Sequence, residues 1–273
     1  MNVESNSELK PPKNLLKDFS WYLLSSFFPL LVGFVKTPIF TRHFGTEEFG
    51  NLGIVQVTFS YFGMLLFSWI SSILWRYYQK YKLDNRRELL FGNLLIFFGV
   101  SLVLLSAGSG AWFALETRPL VRDLILVSFG HLIFSQLVMG YLVATRLEAR
   151  AKLYMIFQSV RALLSFLVSL YLVFVLDKSI TALITGLLVI DGLSMLLLAL
   201  WNPIGLRIRF SISFLSPGEL FSYGMAGLVM NFSILSLNMS DRYVILASEG
   251  LSSVGIYDQV YKISQLSVMA LVT

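Results

Sequence analysis

Cysteine is absent from the chain, which excludes disulfides, thiolate metal sites and cysteine nucleophiles. Only two histidines occur, His43 and His131, far apart in sequence, so no metal site and no cofactor is expected. Charge is also scarce. Asp, Glu, Lys and Arg make up 14% of the 273 residues, against about 25% in ordinary soluble domains. Apolar residues take their place: 56% of the chain is hydrophobic, with 23 Phe and 12 Tyr, and the mean hydropathy is +0.73. Such a chain cannot cover itself with polar surface in water, and its outer surface suits lipid. Residues 1–18 are polar, and no small-residue cleavage site follows the first apolar run. That run therefore reads as a retained membrane helix rather than a signal peptide.

A spanning helix needs roughly 20 mostly apolar residues. The sequence predicts seven, over 19–41, 51–75, 89–113, 121–145, 153–176, 180–201 and 219–247, and the start of an eighth from 253. Alternating ten-residue strands are missing, which excludes a closed barrel. The fold class is an all-α polytopic membrane protein. KPPKNLLKDFSW, within and just beyond the N-terminal segment 1–18, reads as an interfacial elbow with Lys13, Lys17 and Trp21 at headgroup depth. The connector TRLEARAK reads as a solvated helical link, with Arg146 and Arg150, and Glu148 and Lys152, spaced i,i+4.

Lysine and arginine in the short gaps set the orientation. The N-terminal tail and the second, fourth and sixth gaps carry thirteen, from Lys10 to Arg209. The remaining gaps carry four: Arg42, Arg118, Arg122 and Lys178. The N-terminus is therefore expected in the cytoplasm. The same asymmetry accounts for the net charge of +5 through anionic headgroups rather than nucleic acid.

An internal repeat is visible. FTRHFGTEEFGNL at 40–52 matches ILASEGLSSVGIY at 245–257, placing Gly45 on Gly250 and Gly50 on Gly255 at an offset of 205. Upstream, FSWYL at 19–23 resembles FSYGM at 221–225. Six helices lie between, an even number, so the two units share one orientation, as in transporters built from parallel repeats. The expected organisation is an interfacial segment 1–18, a six-helix lobe 19–201, a linker 202–218, and helices 7 and 8 of a second lobe at 219–273. On this reading the chain is part of a truncated 12–14-helix transporter.

The opening FSWYLLSSFFPLLVGFVKTPIFTRHFGTEEFGNLGIVQ resembles the first two helices of bacterial polysaccharide biosynthesis transporters. These are the O-antigen and capsule flippases of the multidrug/oligosaccharidyl-lipid/polysaccharide exporter superfamily. RLEARAKLYMIFQSVRALLSFLVSL resembles their fourth-to-fifth connection, and MSDRYVILASEGLSSVGIYDQVYKI their seventh and eighth helices. Asn51-Leu52 stands where a tyrosine is more usual in the family. The resemblance implies a non-enzymatic flippase in the bacterial inner membrane. Its substrate would be an undecaprenyl-pyrophosphate-linked oligosaccharide, passed by alternating access. Membrane lipids, a polysaccharide polymerase and chain-length proteins are the implied partners. Lipid II flippases and cation-coupled drug exporters share the architecture. A membrane scaffold and an integral glycosyltransferase are the rivals from other classes. The last would need a large extramembrane catalytic loop, yet the longest gap is 202–218.

Seven charges fall inside apolar runs: Lys36, Arg161, Asp191, Asp241, Arg242, Asp258 and Lys262. Each costs about 2.5–3.5 kcal/mol at mid-bilayer on insertion scales, so they must face one another or a hydrated cavity. The cations Lys36, Arg161, Arg242 and Lys262 are the candidates to bind an anionic headgroup. Asp191, Asp241 and Asp258 are candidates for ion or proton coupling. Several innocent readings compete. Lys36 and Arg161 can snorkel to the interface, Asp241 can pair with Arg242, Asp191 can take Arg161 as partner, and His131 can be a satisfied interhelical group. Pro38 removes a backbone hydrogen bond beside Lys36 and favours a bend, with Gly45, Gly50, Gly250 and Gly255 at the turns.

Overall fold

The computed structural model describes residues 15–177, 179–205, 207–209 and 217–272, with side chains over 19–176, 179–205, 207–209 and 224–264. Most of the N-terminal segment, Lys178 and much of the linker lie outside these residues. The fold is 90% helical, with no strand among the described residues. The helices are α1 (Leu15–Thr41), α2 (Thr46–Leu83), α3 (Arg87–Leu115), α4 (Pro119–Leu147), α5 (Ala151–Tyr171, continued by a π-turn over Leu172–Asp177) and α6 (Thr181–Trp201). They are followed by α7 (Pro217–Met239), α8 (Asp241–Glu249) and α9 (Leu251–Val272). Among the described residues, six helices, α1 to α6, are long and apolar enough to cross a membrane.

Two sequence expectations change. The segment expected at 219–247 is two helices, broken at Ser240. The connector after α4 is not helical: Ala149 has φ 54°, a left-handed turn. Glu148 therefore turns away from Lys152. Its carboxylate lies 2.6 Å from Lys82 Nζ and 3.2 Å from Arg87 Nη1, and it accepts a hydrogen bond from the Tyr78 hydroxyl. Burial pushes the Glu148 carboxyl up, but Lys82, Tyr78 and Arg87 outweigh it and hold the group below the usual range. The guanidinium of Arg146 stacks 4.2 Å from the Tyr154 ring. At 38 residues, α2 is about 57 Å long, well beyond a hydrocarbon core of about 30 Å. Its end carries Arg76, Lys80 and Lys82 out to this basic side.

At the opposite side, the first turns of α2 and α9 cross at backbone contact. A Cβ on Gly50 would sit 2.0 Å from the Leu251 carbonyl oxygen, and one on Gly255 would sit 1.9 Å from that of Thr46. Thr46 and Leu251 are themselves one repeat offset apart. The crossing is thus self-complementary, with each repeat unit presenting its glycine to the other's first helical turn. Small residues permit such close approach, and the Thr46 and Ser252 hydroxyls hydrogen-bond across it at 2.6 Å. The first glycines of the repeat differ. Gly250 has φ 87°, which favours glycine, whereas Gly45 has φ −71° and serves as the N-cap of α2.

An aromatic core lies behind the crossing, with Phe40, Phe49, Phe59 and Phe67 buried against α4 and α6. Asn51 is buried near the start of α2. Its side chain donates to the Glu47 carbonyl at 3.1 Å and accepts from Arg118 Nη1 at 3.2 Å, tying α2 to the α3–α4 turn. In that turn Arg118 hydrogen-bonds Glu116 and draws its carboxyl down to about 2.

Candidate functional site

The intramembrane charges gather into two clusters and one isolated cation. The first cluster joins three helices. From α5, Arg161 grips Asp191 of α6 with both arms of its fork, Nε to Oδ1 at 2.5 Å and Nη2 to Oδ2 at 2.7 Å. From α4, His131 Nε2 lies 3.4 Å from the same Oδ2. Asp191 is 1% exposed. A bidentate pair of this kind satisfies both charges in low dielectric.

The second cluster joins α8 and α9. Arg242, 1% exposed, sets Nε 3.1 Å from Asp258 Oδ1 and Nη1 2.9 Å from Asp241 Oδ1. Nη1 also donates to the Asn238 carbonyl at 2.8 Å, satisfying a carbonyl left open where α7 ends. The guanidinium carbon lies 4.5 Å from the centre of the Tyr261 ring, within cation–π reach. The Tyr257 hydroxyl donates to Asp241. One turn on, Lys262 Nζ is 2.6 Å from Asp258 Oδ2, an i,i+4 pair on one helix face.

Lys36 stands apart. It has no ion pair among the described residues, and its ammonium rests 5.8 Å from the Phe40 ring. Pro38 leaves α1 unbroken, and Thr37 Oγ1 bonds back to the Gly33 carbonyl at 2.9 Å. Lys36 lines a cavity of about 450 Å³ between α1, α2, α6 and α9, whose polar residues include Thr37, Gln56, Gln259 and Lys262. A second cavity of about 260 Å³ continues from it, sharing Gln56 and Lys262, and reaches Ser128 and His131 on α4 and Asp258 on α9.

Of the seven charges, Lys36, Lys262 and Asp258 line these two cavities, while Arg161, Asp191, Asp241 and Arg242 do not. Sequence reasoning passed over Gln56, Ser60 and Ser128, which line the smaller cavity. One signal could have found Gln56: it sits among small and apolar residues of α2, beyond Gly53, whose repeat equivalent is Asp258.

These features can be set against known proteins. The family model described as polysaccharide biosynthesis protein matches residues 15–273. The chain belongs to that family. Its family and the six long apolar helices among the described residues make it a multi-pass membrane protein. No match was found among curated proteins. A solved structure titled "protein A" is similar to it, with a TM-score of 0.69 and 19% sequence identity. The match covers 98% of this chain and 63% of that one. This family member thus spans under two thirds of the length of that relative and shares its fold.

Proposed function

We propose that this protein is a flippase that passes a lipid-linked oligosaccharide, carried on undecaprenyl pyrophosphate, across the bacterial inner membrane. The observation that carries the reading is Lys36: an ammonium in an apolar helix, without an ion pair among the described residues, facing Lys262 across a roomy cavity. An isolated cation in lipid is costly, and a pyrophosphate leaving water needs cations in its place. The cavity meets both needs. The prenyl tail stays in lipid while phosphate and sugar pass between α1, α2, α6 and α9. The self-complementary crossing of α2 and α9 supports a second lobe related to the first by the repeat, with alternating access arising at that seam. The thirteen-to-four bias of basic residues supports a cytoplasmic N-terminus. A cation exporter of the same architecture would want free carboxylates in the cavity, whereas none lines it and Asp258, which lines the adjoining smaller cavity, is held by Arg242 and Lys262.

The test is made in cells. Lys36→Ala in the full-length protein reduces surface polysaccharide at unchanged protein level, and Lys36→Arg retains more of it. The expected loss of affinity is about 10- to 100-fold, from a charged hydrogen bond of about 1.5–3 kcal/mol. Normal display by Lys36→Ala at equal protein level would contradict the reading. For orientation, a reporter fused after Arg86 reads cytoplasmic and one after Thr117 periplasmic; the reverse pattern would overturn the topology.

A further inference from the structure

The smaller cavity differs in chemistry from the one that holds Lys36. Its polar lining is Gln56, Ser60, Ser128 and His131, with Asp258 and Lys262 at one edge. The two charges there are already engaged: Asp258 oxygens lie 3.1 Å from Arg242 Nε and 2.6 Å from Lys262 Nζ. What remains is hydroxyl, amide and imidazole, which together donate and accept. Ser128 is 3% exposed, and its hydroxyl has no hydrogen-bond partner among the described residues. Ser60 donates to the Gln56 carbonyl at 2.8 Å, which leaves its oxygen to accept. Gln56 Oε1 lies 3.4 Å from Lys262 Nζ, which leaves its amide N–H groups to donate. His131 turns Nε2 to Asp191; in the uncharged imidazole that nitrogen donates and Nδ1 accepts. The ring of Phe59, 5% exposed, supplies an apolar wall.

Buried polar groups in native proteins nearly always have partners, so an orphan hydroxyl on a cavity wall points to something that enters the cavity. Neutral groups that donate and accept, beside an apolar ring, complement a polyhydroxylated ring and not an ion. We propose that this cavity is a sugar subsite, holding the sugar joined directly to the pyrophosphate while Lys36 holds the phosphates next door. The inference rests on the flippase reading and adds to it a place and a set of residues for sugar recognition. Sugar hydroxyls replace the waters that fill such a cavity when it is empty, and they can reproduce the hydrogen bonds of those waters.

The test uses purified full-length protein in lipid nanodiscs. The probes are undecaprenyl pyrophosphate, bare and bearing a single glucose, galactose or N-acetylglucosamine. The wild type binds at least one glycosylated probe more tightly than the bare lipid. Ser60→Ala/Ser128→Ala removes that preference, by about two- to tenfold per hydroxyl, and leaves bare-lipid affinity unchanged. Ser128→Ala alone folds at least as stably as wild type, because it deletes a buried unpaired hydroxyl. The inference is overturned if the wild type binds bare and glycosylated lipids equally, or if the double variant keeps its preference or weakens both probes alike. If the wild type binds no undecaprenyl pyrophosphate of either kind, the flippase reading itself fails.

Discussion

Arg161 and Lys36 are both single cations in apolar helices, yet the structure treats them in opposite ways. Arg161 is closed on Asp191 through two hydrogen bonds, with His131 behind. Lys36 has an aromatic ring beneath it and a cavity in front. Arg242 follows Arg161, bound to Asp258 and Asp241 and buried at 1%. The difference teaches that the price of a buried charge is met in two ways. A pair neutralises it permanently and ties helices together, whereas a cavity leaves it able to take a partner that comes and goes. Arginine, with its rigid fork, serves the first arrangement; lysine, a point charge on a flexible stem, serves the second.

The largest effect comes from breaking a pair. Arg161→Ala leaves the buried Asp191 carboxylate with His131 beside it and no arginine, at a cost of about 3–5 kcal/mol. It should strongly lower the yield of folded protein and the melting temperature in detergent. Arg161→Met/Asp191→Leu removes both charges and should restore most of that stability. If Arg161→Ala were as stable as wild type, the pair would not hold α5 to α6.

Next comes the seam between the repeats. Gly50→Ala places a methyl group against the Leu251 carbonyl. It should cost about 1–3 kcal/mol by overpacking and weaken a Thr46→Cys/Ser252→Cys cross-link. Unchanged cross-linking would show that the crossing is looser than the structure has it.

The smallest effect lies outside the membrane. Because its partners hold the Glu148 carboxyl low, Glu148 contributes stability that is fully present above the unfolded-state value of about 4.3. That contribution is lost as pH falls through the lower folded-state value. Glu148→Gln should therefore cost about 1–2 kcal/mol at pH 7 and nothing extra in strong acid. An equal deficit at both pH values would assign the loss to packing.

The helices were legible because apolar runs of spanning length have few other readings, and the observed helices α1 to α6 contain or nearly match the segments read from sequence. The repeat itself was legible from two glycines five residues apart in each unit, but that the two units meet at those glycines was not, because repeat equivalence does not say which helices touch. The fates of the charges were only partly legible. The Asp258–Lys262 pair follows from i,i+4 spacing alone. Arg161–Asp191 was one partnership among several, because helices thirty residues apart meet by tertiary packing that no local pattern records. The break at Ser240 was hidden because α7 and α8 continue one apolar run. The turn after α4 was misread for a similar reason: i,i+4 charges suggest a helix, while Glu148 has better partners in Lys82, Arg87 and Tyr78 brought from α2 and α3. The smaller cavity was invisible because serine and glutamine are unremarked in any single helix until three helices bring them together.

The most direct test of the central claim, that the lysine without an ion pair binds while the paired arginines build, compares two stable variants in one assay. Affinity for undecaprenyl pyrophosphate is measured on purified full-length Lys36→Ala and Arg161→Met/Asp191→Leu proteins, both shown to be folded. The account predicts that Lys36→Ala loses about 10- to 100-fold, while the charge-free pair variant stays close to wild type. A Lys36→Ala protein that binds like wild type, beside a pair variant that does not bind, would contradict it.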